Sequence, residues 1–276
     1  MKRLGQNQGG YRGERIEIAG IVRRILDTAH ARGWAISQLE ARAGVCLPVL
    51  TRPPQSRGSW APRFYLSAGI HGDEPAGPLA MLDLIERDEL PRDAWFWCCP
   101  CLNPTGFPRN TRESEEGIDL NRDYRQLRSA EVQRHVAWLE HLPLFDLTLC
   151  LHEDWEASGF YVYEVNPDHH PSLAEAMVEA VRGICPIDLA AEIDGREASG
   201  GIIRPNIDPA LRSEWPEALY LINHKTRLSY TVEAPSDFEL STRVAALAAG
   251  VKAAISGFPR ERCQQPSDNP SAPDPR

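Results

Sequence analysis

The sequence predicts one α/β domain with a mixed, largely parallel central sheet and helices on both faces. The chain has 276 residues, of which 42% are hydrophobic and 25% charged. This is the composition of a globular protein with a sizeable core, and it excludes a collagen-like, coiled-coil or wholly disordered chain. Segments with a period of two alternate along the chain with helical segments of roughly 12 to 16 residues. Such alternation is typical of βαβ units, whose strands run parallel.

The first third of the chain predicts a helix, a hairpin and a buried strand. The apolar period over residues 16–32 predicts the helix, and residues 34–41 and 45–51 predict two strands of a hairpin that turns at Gly44. Residues 63–70 are apolar or small on both faces, which predicts a strand covered on both sides. A helix follows, with Pro75 in its first turn.

The rest of the chain predicts further strands and helices that alternate up to residue 255. A strand at 94–101 is followed by a long loop that ends at Tyr124. The later elements are helix 129–141, strands 145–151 and 160–164, helix 172–183, an irregular stretch through Pro216, strands 219–222 and 228–232, and helix 241–255. Residues 13–258 are predicted to form the folded domain. We expect residues 1–12 to be flexible, and residues 259–276, which hold five prolines and few apolar side chains, to be disordered.

Charge and composition argue against nucleic acid and membranes as partners. The 30 Lys and Arg residues against 39 Asp and Glu residues give a net charge of −9, which lacks the broad positive field that phosphates attract. Neither a secretory signal nor an apolar run of about 18 residues is visible. Four of the seven cysteines lie in strand-like apolar runs, namely Cys98, Cys99, Cys101 and Cys150. These features predict a cytoplasmic protein with reduced thiols, and we expect the Cys98 to Cys101 segment to pack in the core.

Several predicted strands end in polar side chains that suit a metal site. His71 and Glu74 follow the strand that ends at residue 70, and His152 and Glu233 end two later strands. Two His and one carboxylate are suitable ligands for zinc. Each residue has an ordinary alternative: the His-x-x-Glu pair occurs by chance, His152 could be a hydrogen-bonded rim histidine, and Glu233 could face water. Ligands of such sheets bind beyond the carboxyl ends of the strands, so the residues together predict a site there.

The long loop after residue 101 adds groups that could bind an anion. It contains Arg109, Arg112 and Arg122, and the last of these follows Asn121. A guanidinium beside an amide is well suited to hold a carboxylate by paired hydrogen bonds, although the arginines could also be merely solvated.

Taken in chain order, these motifs resemble the zinc carboxypeptidase family, of which carboxypeptidase A is the best known member. The order is His-x-x-Glu at residues 71–74, Asn-Pro-x-Gly at 103–106, Asp-x-Asn-Arg at 119–122, a lone His152 that ends a strand, and Glu233. The resemblance spans residues 64–258. It implies a zinc carboxypeptidase-like fold and one Zn²⁺ per chain.

The resemblance also implies a role for each matching residue. The zinc ligands would be His71, Glu74 and His152, the general base that activates water would be Glu233, and Asn121 with Arg122 would grip the terminal carboxylate of the substrate. The remaining roles concern Asp119, which would orient the first zinc histidine, and Arg112, which would stabilise the oxyanion, with Arg109 as its substitute.

Two features depart from the family pattern. The mobile tyrosine that covers the substrate has no clear counterpart, since Tyr220 is the nearest position and Tyr230 could be a core residue. The interval from Glu74 to His152 is shorter than in digestive members. Residues 190–209 could form a lid or pocket wall and contain the candidate selectors Asp194, Arg196, Arg204 and Asp208.

The resemblance implies a zinc-dependent metallocarboxypeptidase that acts on small peptides. One alternative is a deacylase of N-acyl amino acids, of the succinylglutamate desuccinylase and aspartoacylase type. Those relatives usually add a β domain after the catalytic Glu, whereas residues 236–258 here predict a helix. The other alternative is a non-catalytic zinc-dependent binding protein, which would have lost Glu233 first.

Overall fold

The computed structural model describes residues 3–7, 13–55, 60–206 and 208–259. The helices are α1 (Ile18–Ala31), α2 (Ala76–Glu86), α3 (Ala130–Glu140), α4 (Ala174–Val181), α5 (Glu217–His224) and α6 (Leu240–Gly257). The strands are β1 (Ala35–Arg42), β2 (Val45–Arg52), β3 (Arg63–Ala68), β4 (Trp95–Cys99), β5 (Leu147–Asp154), β6 (Tyr161–Val165), β7 (Glu192–Ile193), β8 (Arg196–Ser199), β9 (Ile202–Ile203) and β10 (Ser229–Pro235).

All ten strands belong to one mixed sheet in the order β1-β2-β4-β3-β5-β10-β6-β9-β8-β7. The prediction of a single α/β domain with a mixed sheet is confirmed, but the prediction of a largely parallel sheet is wrong. Five of the nine strand pairings between described residues are antiparallel. The central strands β4, β3, β5 and β10 run parallel to one another because connections that contain helices join them, whereas their outer neighbours β2 and β6 pair antiparallel with β4 and β10.

Alternation along β3 separates the core into two layers, one on each face of the sheet. Phe64 and Leu66 pack with residues of α1, α2, α4 and α6, and Tyr65 between them packs with residues of α3 and α5. All three side chains are fully buried. Burial on both faces explains why this strand has few polar residues, and it holds the carboxyl end of β3 rigidly in the middle of the sheet.

One predicted strand is a helix in the structure. Residues 219–222 lie in α5, and Pro216 directly precedes the first turn of that helix. A short apolar run is compatible with both a buried strand and a buried helix, and the period alone does not separate them. The predicted irregular stretch before it contains the short strands β7, β8 and β9.

The ends of the chain are described only in part. In the N-terminal segment the Leu4 N–H donates to the Asp237 carbonyl at 2.9 Å, and the Arg3 guanidinium donates to the Ala157 carbonyl at 2.9 Å. Residues 8–12 and 260–276 lie outside the described residues, so the flexible start and the disordered tail stay predictions. Among the described helices, none has the length and apolar character that a bilayer crossing requires.

The predicted core position of the cysteine-rich segment is confirmed. Cys98, Cys99 and Cys101 are buried free thiols. Burial raises the pKa of Cys98 to about 12, which keeps this thiol protonated at neutral pH.

Candidate active site

His71 and Glu74 lie in the turn between β3 and α2, at the carboxyl end of a central strand. Gly72 between them lies so close to the Gly106 backbone that a Cβ atom there would collide with it. The turn therefore needs glycine, and the close packing aims both side chains in the same direction.

His152 and Glu233 reach the same edge of the sheet from β5 and β10. These strands run parallel, and Glu233 lies directly opposite His152 in their register. Because the carboxyl ends of parallel strands meet at one edge, two residues far apart in sequence become neighbours.

The three predicted metal ligands form one compact group. Ligand atoms of His71, Glu74 and His152 lie within 4.8 Å of one another, and all three residues are buried. The two carboxylate oxygens of Glu74 face different imidazoles: Oε1 contacts Nδ1 of His71, and Oε2 lies 3.0 Å from Nδ1 of His152. Two imidazole nitrogens and one carboxylate that converge in this way are the donor set of a catalytic zinc site, so the residues present fit a zinc ion.

The charges in this group favour an ionised ligand carboxylate. Burial would raise the pKa of Glu74, but the adjacent His71 and His152 outweigh burial and hold that pKa well below its ordinary value. Burial lowers the pKa of His71, but the adjacent Glu74 and Asp119 raise it by a larger amount, so the net shift is upward. Glu74 is therefore ionised at neutral pH, as a metal ligand must be.

Asp119 and Arg112 contact the group from the long loop. Asp119 Oδ1 lies 3.4 Å from Nε2 of His71, and Arg112 Nε donates to Asp119 Oδ2 at 2.8 Å. Since Nδ1 of His71 faces Glu74, Asp119 lies at the opposite ring nitrogen, where it can orient the imidazole. Arg112 Nη1 is 3.7 Å from Glu74 Oε1, and 37% of the Arg112 side chain is exposed, so the guanidinium also borders the cavity.

Two glutamates compete for the role of general base, and the structure distinguishes them. Burial raises the pKa of Glu233 to about 8, with His152 opposing the rise and Glu74 adding to it. The Glu153 side chain is fully buried, and burial raises its pKa to about 7 although the nearby Arg243 lowers it. Its carboxylate accepts hydrogen bonds from Arg243 and from the Ala76 N–H. Both glutamates line the cavity, but within the described part of the chain no arginine pairs with the Glu233 carboxylate, which suits proton transfer.

A cavity of about 760 Å³ opens in front of these residues. Among the predicted site residues its lining includes His71, Glu74, Arg112, Asn121, Arg122, His152 and Glu233. Arg109 lies elsewhere: it is exposed, and its Nη1 donates to the Glu115 carbonyl at 2.8 Å. The structure therefore does not bring Arg109 to the cavity.

Asn121 and Arg122 have different surroundings on the cavity wall. Asn121 Oδ1 accepts from the Glu217 N–H at 2.8 Å and so ties the loop to the first turn of α5. The Glu217 carboxylate is buried and accepts from Tyr65 and Ser67 hydroxyls at 2.7 and 2.8 Å, which anchors that turn to the sheet. Arg122 is exposed on the cavity wall; its Nη1 donates to the Asn121 carbonyl at 2.9 Å, and the guanidinium has further donors for a ligand.

The sequence did not single out two tyrosines of the cavity wall, Tyr161 and Tyr163 on β6. The Tyr161 hydroxyl donates to Asp154 Oδ2 at 2.9 Å, and the Tyr163 hydroxyl donates to Asp194. Their spacing of two on a strand was the available signal, because it places both on one face. Tyr220 and Tyr230, the sequence candidates, are buried outside the cavity lining.

Residues 190–209 are predicted as a pocket wall and contribute in part to it. Asp194 and Arg196 line the cavity, and Arg212 does so from just beyond this stretch. Burial lowers the pKa of Arg212, and the nearby guanidiniums of Arg196 and Arg122 lower it further, so three cations lie close together. Arg204 is outside the lining and contacts Glu164 at 2.7 Å.

Comparisons with known proteins concern the family and the fold of the chain. The family model for the succinylglutamate desuccinylase/aspartoacylase catalytic domain matches residues 61–195. A proposed metallopeptidase from Shewanella amazonensis is 25% identical with a TM-score of 0.75, and the match covers 87% of this chain and 92% of that chain. A second proposed metallopeptidase, from Shewanella denitrificans, is 21% identical with a TM-score of 0.75 and coverage of 90% and 98%.

A more distant structure shares the fold alone. The metallo-carboxypeptidase from Pseudomonas aeruginosa, solved in complex with (2-guanidinoethylmercapto)succinic acid, is 19% identical with a TM-score of 0.62. The match covers 85% of this chain and 67% of that chain. No curated protein sequence was matched.

Proposed function

From its membership of the zinc carboxypeptidase-like family, near the succinylglutamate desuccinylase/aspartoacylase branch, we propose that the chain is a zinc-dependent carboxypeptidase of small peptides. The observation that carries this proposal is the buried group of His71, Glu74 and His152, with Glu233 beside it at the edge of one cavity. A binding protein without catalysis has no need of a buried glutamate with a raised pKa at that position.

Each residue has a defined task in hydrolysis. Zinc held by His71, Glu74 and His152 would polarise the scissile carbonyl and make water more acidic. Glu233 takes a proton from the attacking water and passes it to the leaving amine, a role that suits a carboxylate whose pKa burial raises above its ordinary value. The Arg112 guanidinium stabilises the negative charge on the carbonyl oxygen.

The substrate is held through its terminal carboxylate. The Arg122 guanidinium and the amide of Asn121 line the cavity and offer donors for paired hydrogen bonds to a carboxylate. Arg196 and Arg212 add positive charge to the same cavity. An anionic substrate is therefore favoured over a neutral one.

A second candidate function is the removal of an acyl group from an N-acyl amino acid. The match of residues 61–195 to the desuccinylase/aspartoacylase family model favours it. Both reactions cleave an amide bond, and in both substrates the amino acid that departs already carries a free carboxylate. The same Asn121 and Arg122 therefore serve either substrate.

The decisive experiment compares three substrates with the zinc-loaded protein. A peptide with a free C-terminus should be cleaved faster than its C-terminal amide by ~10²-fold if the lost charged hydrogen bonds cost about 3 kcal/mol. Arg122→Ala should remove most of this preference. Faster cleavage of an N-acyl amino acid would support the second candidate, and equal cleavage of the acid and the amide would contradict the carboxylate clamp.

Metal content tests the centre itself. Purified protein should hold about one equivalent of zinc, and His71→Ala or His152→Ala should reduce it sharply because each removes one of three ligands. His141→Ala is the matched control, since His141 is exposed on the far end of α3. Equal zinc content in all four proteins would refute the assignment of ligands.

A further inference from the structure

A buried ion pair lies directly behind the metal ligands. Glu153 follows His152 on β5, and Arg243 lies on α6, 90 positions further along the chain. Arg243 Nη1 donates to Glu153 Oε2, and both side chains have no exposed surface. Burying two charges is costly, and an apolar pair of similar size often stabilises a fold as well or better.

Glu153 contacts the ligand group in two ways. Its backbone N–H donates to Glu74 Oε2 at 3.1 Å, the same oxygen that lies 3.0 Å from His152 Nδ1. Its side chain accepts from the N–H of Ala76 at 2.5 Å, at the first residue of α2 and two positions after Glu74. One residue therefore restrains the ligand Glu74 directly, restrains the turn that carries it, and adjoins the ligand His152.

Arg243 also contacts the segment before α1. Its Nη2 donates to Glu14, a residue of the segment before α1 that is about one third exposed. The C-terminal helix and the N-terminal segment are thus connected to the ligand group through a single guanidinium.

We propose that Glu153 and Arg243 are positioning residues that hold Glu74 and His152 in the geometry that zinc requires. The inference rests on the proposed function only in that the three ligands bind metal. Residues behind metal ligands that fix their orientation commonly change metal affinity by about 10- to 100-fold when they are removed.

The test measures zinc affinity by competition with a chromophoric chelator, without any substrate. Arg243→Met should weaken zinc binding by about 10- to 100-fold, since Glu153 loses its partner and shifts. Arg243→Lys keeps the charge and should restore part of the affinity. Glu153→Gln is a milder variant that should also weaken zinc binding, and it serves if Arg243→Met does not fold. The amide oxygen of the new glutamine can still accept from the Ala76 N–H.

The matched control is Arg52→Met. Arg52 is also a buried arginine, 4% exposed, and donates to the carbonyls of Leu90 and Pro91 at 3.1 and 2.6 Å. It lies on β2, which β4 and β3 separate from the ligand-bearing strand β5. Its loss should lower stability but leave zinc affinity unchanged. The pair Glu153→Gln and Arg243→Met should also be non-additive, with the double variant no weaker in zinc binding than the weaker single variant.

The outcomes separate this inference from the proposed function. Unchanged zinc affinity in folded Arg243→Met and Glu153→Gln would overturn it, and so would an equal loss in Arg52→Met. If the wild-type protein binds zinc but cleaves none of the three substrates, the proposed function fails while the measured affinities still decide the roles of Glu153 and Arg243.

Discussion

Replacement of Glu233 by Gln should strongly reduce activity and at the same time stabilise the metal-free protein at neutral and alkaline pH. The side chain is 9% exposed, and burial raises its pKa from 4.5 to about 8. In the unfolded chain the carboxyl group ionises near its ordinary pKa. Between these two values the folded state holds a proton that the unfolded state has released, so stability falls as pH rises through this range.

The magnitude follows from the two pKa values. At about 1.4 kcal/mol per pKa unit the cost of the Glu233 charge to folding is roughly 2 kcal/mol at pH 6 and about 5 kcal/mol above pH 8. Glutamine has the same shape without the charge, so Glu233→Gln should avoid this cost. Its advantage over the wild type should be small near pH 4.5 and grow steadily up to pH 8.

The assay is denaturant unfolding of both proteins in the presence of a chelator at several pH values, with turnover measured on the zinc-loaded forms. Zinc content should stay near the wild-type level while turnover falls by ~10²-fold or more, the range of a positioned acid–base group. Glu192→Gln, which changes an exposed residue, should alter neither quantity. Full activity, or a stability difference that does not grow with pH, would refute the reasoning.

Three further substitutions test the surroundings of the site. Gly72→Ala should sharply lower zinc content because the new Cβ would collide with the Gly106 backbone, whereas Gly183→Ala, with open space at the Cβ position, should leave metal analysis unchanged. Arg112→Ala should lower kcat by roughly 10²- to 10³-fold in steady-state assays with little change in zinc content, and normal kcat would exclude it as the oxyanion donor. Arg109→Ala should change kcat less than about two-fold, because the residue is exposed outside the cavity lining; a loss like that of Arg112→Ala would reverse their order.

Two parts of the fold prediction are wrong, each for its own physical reason. Residues 219–222 form a helix because the Glu217 carboxylate is anchored by Tyr65 and Ser67, which lie on a distant strand. One antiparallel edge contains strands as short as two residues, β7 and β9, which are too brief for a period to show.

Local sequence by itself predicted most of the alternation of strands and helices, and the resemblance to the zinc carboxypeptidase family supplied the predicted ligand group. His71 and Glu74 are three residues apart, and His152 lies near the carboxyl end of β5, a strand whose direction follows from the helix before it. Because parallel strands expose their carboxyl ends at one edge of a sheet, these residues meet without any further information.

Only the tertiary structure decided which charged groups are paired and which face the cavity. Glu153 and Glu233 each follow an apolar strand segment, and the sequence does not show which of them is paired. Arg243, the partner of Glu153, lies 90 positions further along the chain. Tyr161 and Tyr163 gain their place on the cavity wall from the pairing of β6 with β10. Burial and ion pairing depend on contacts between distant parts of the chain, and these contacts set whether a carboxylate is held against an arginine, as Glu153 is, or lines the cavity without one and has a pKa of about 8, as Glu233 does.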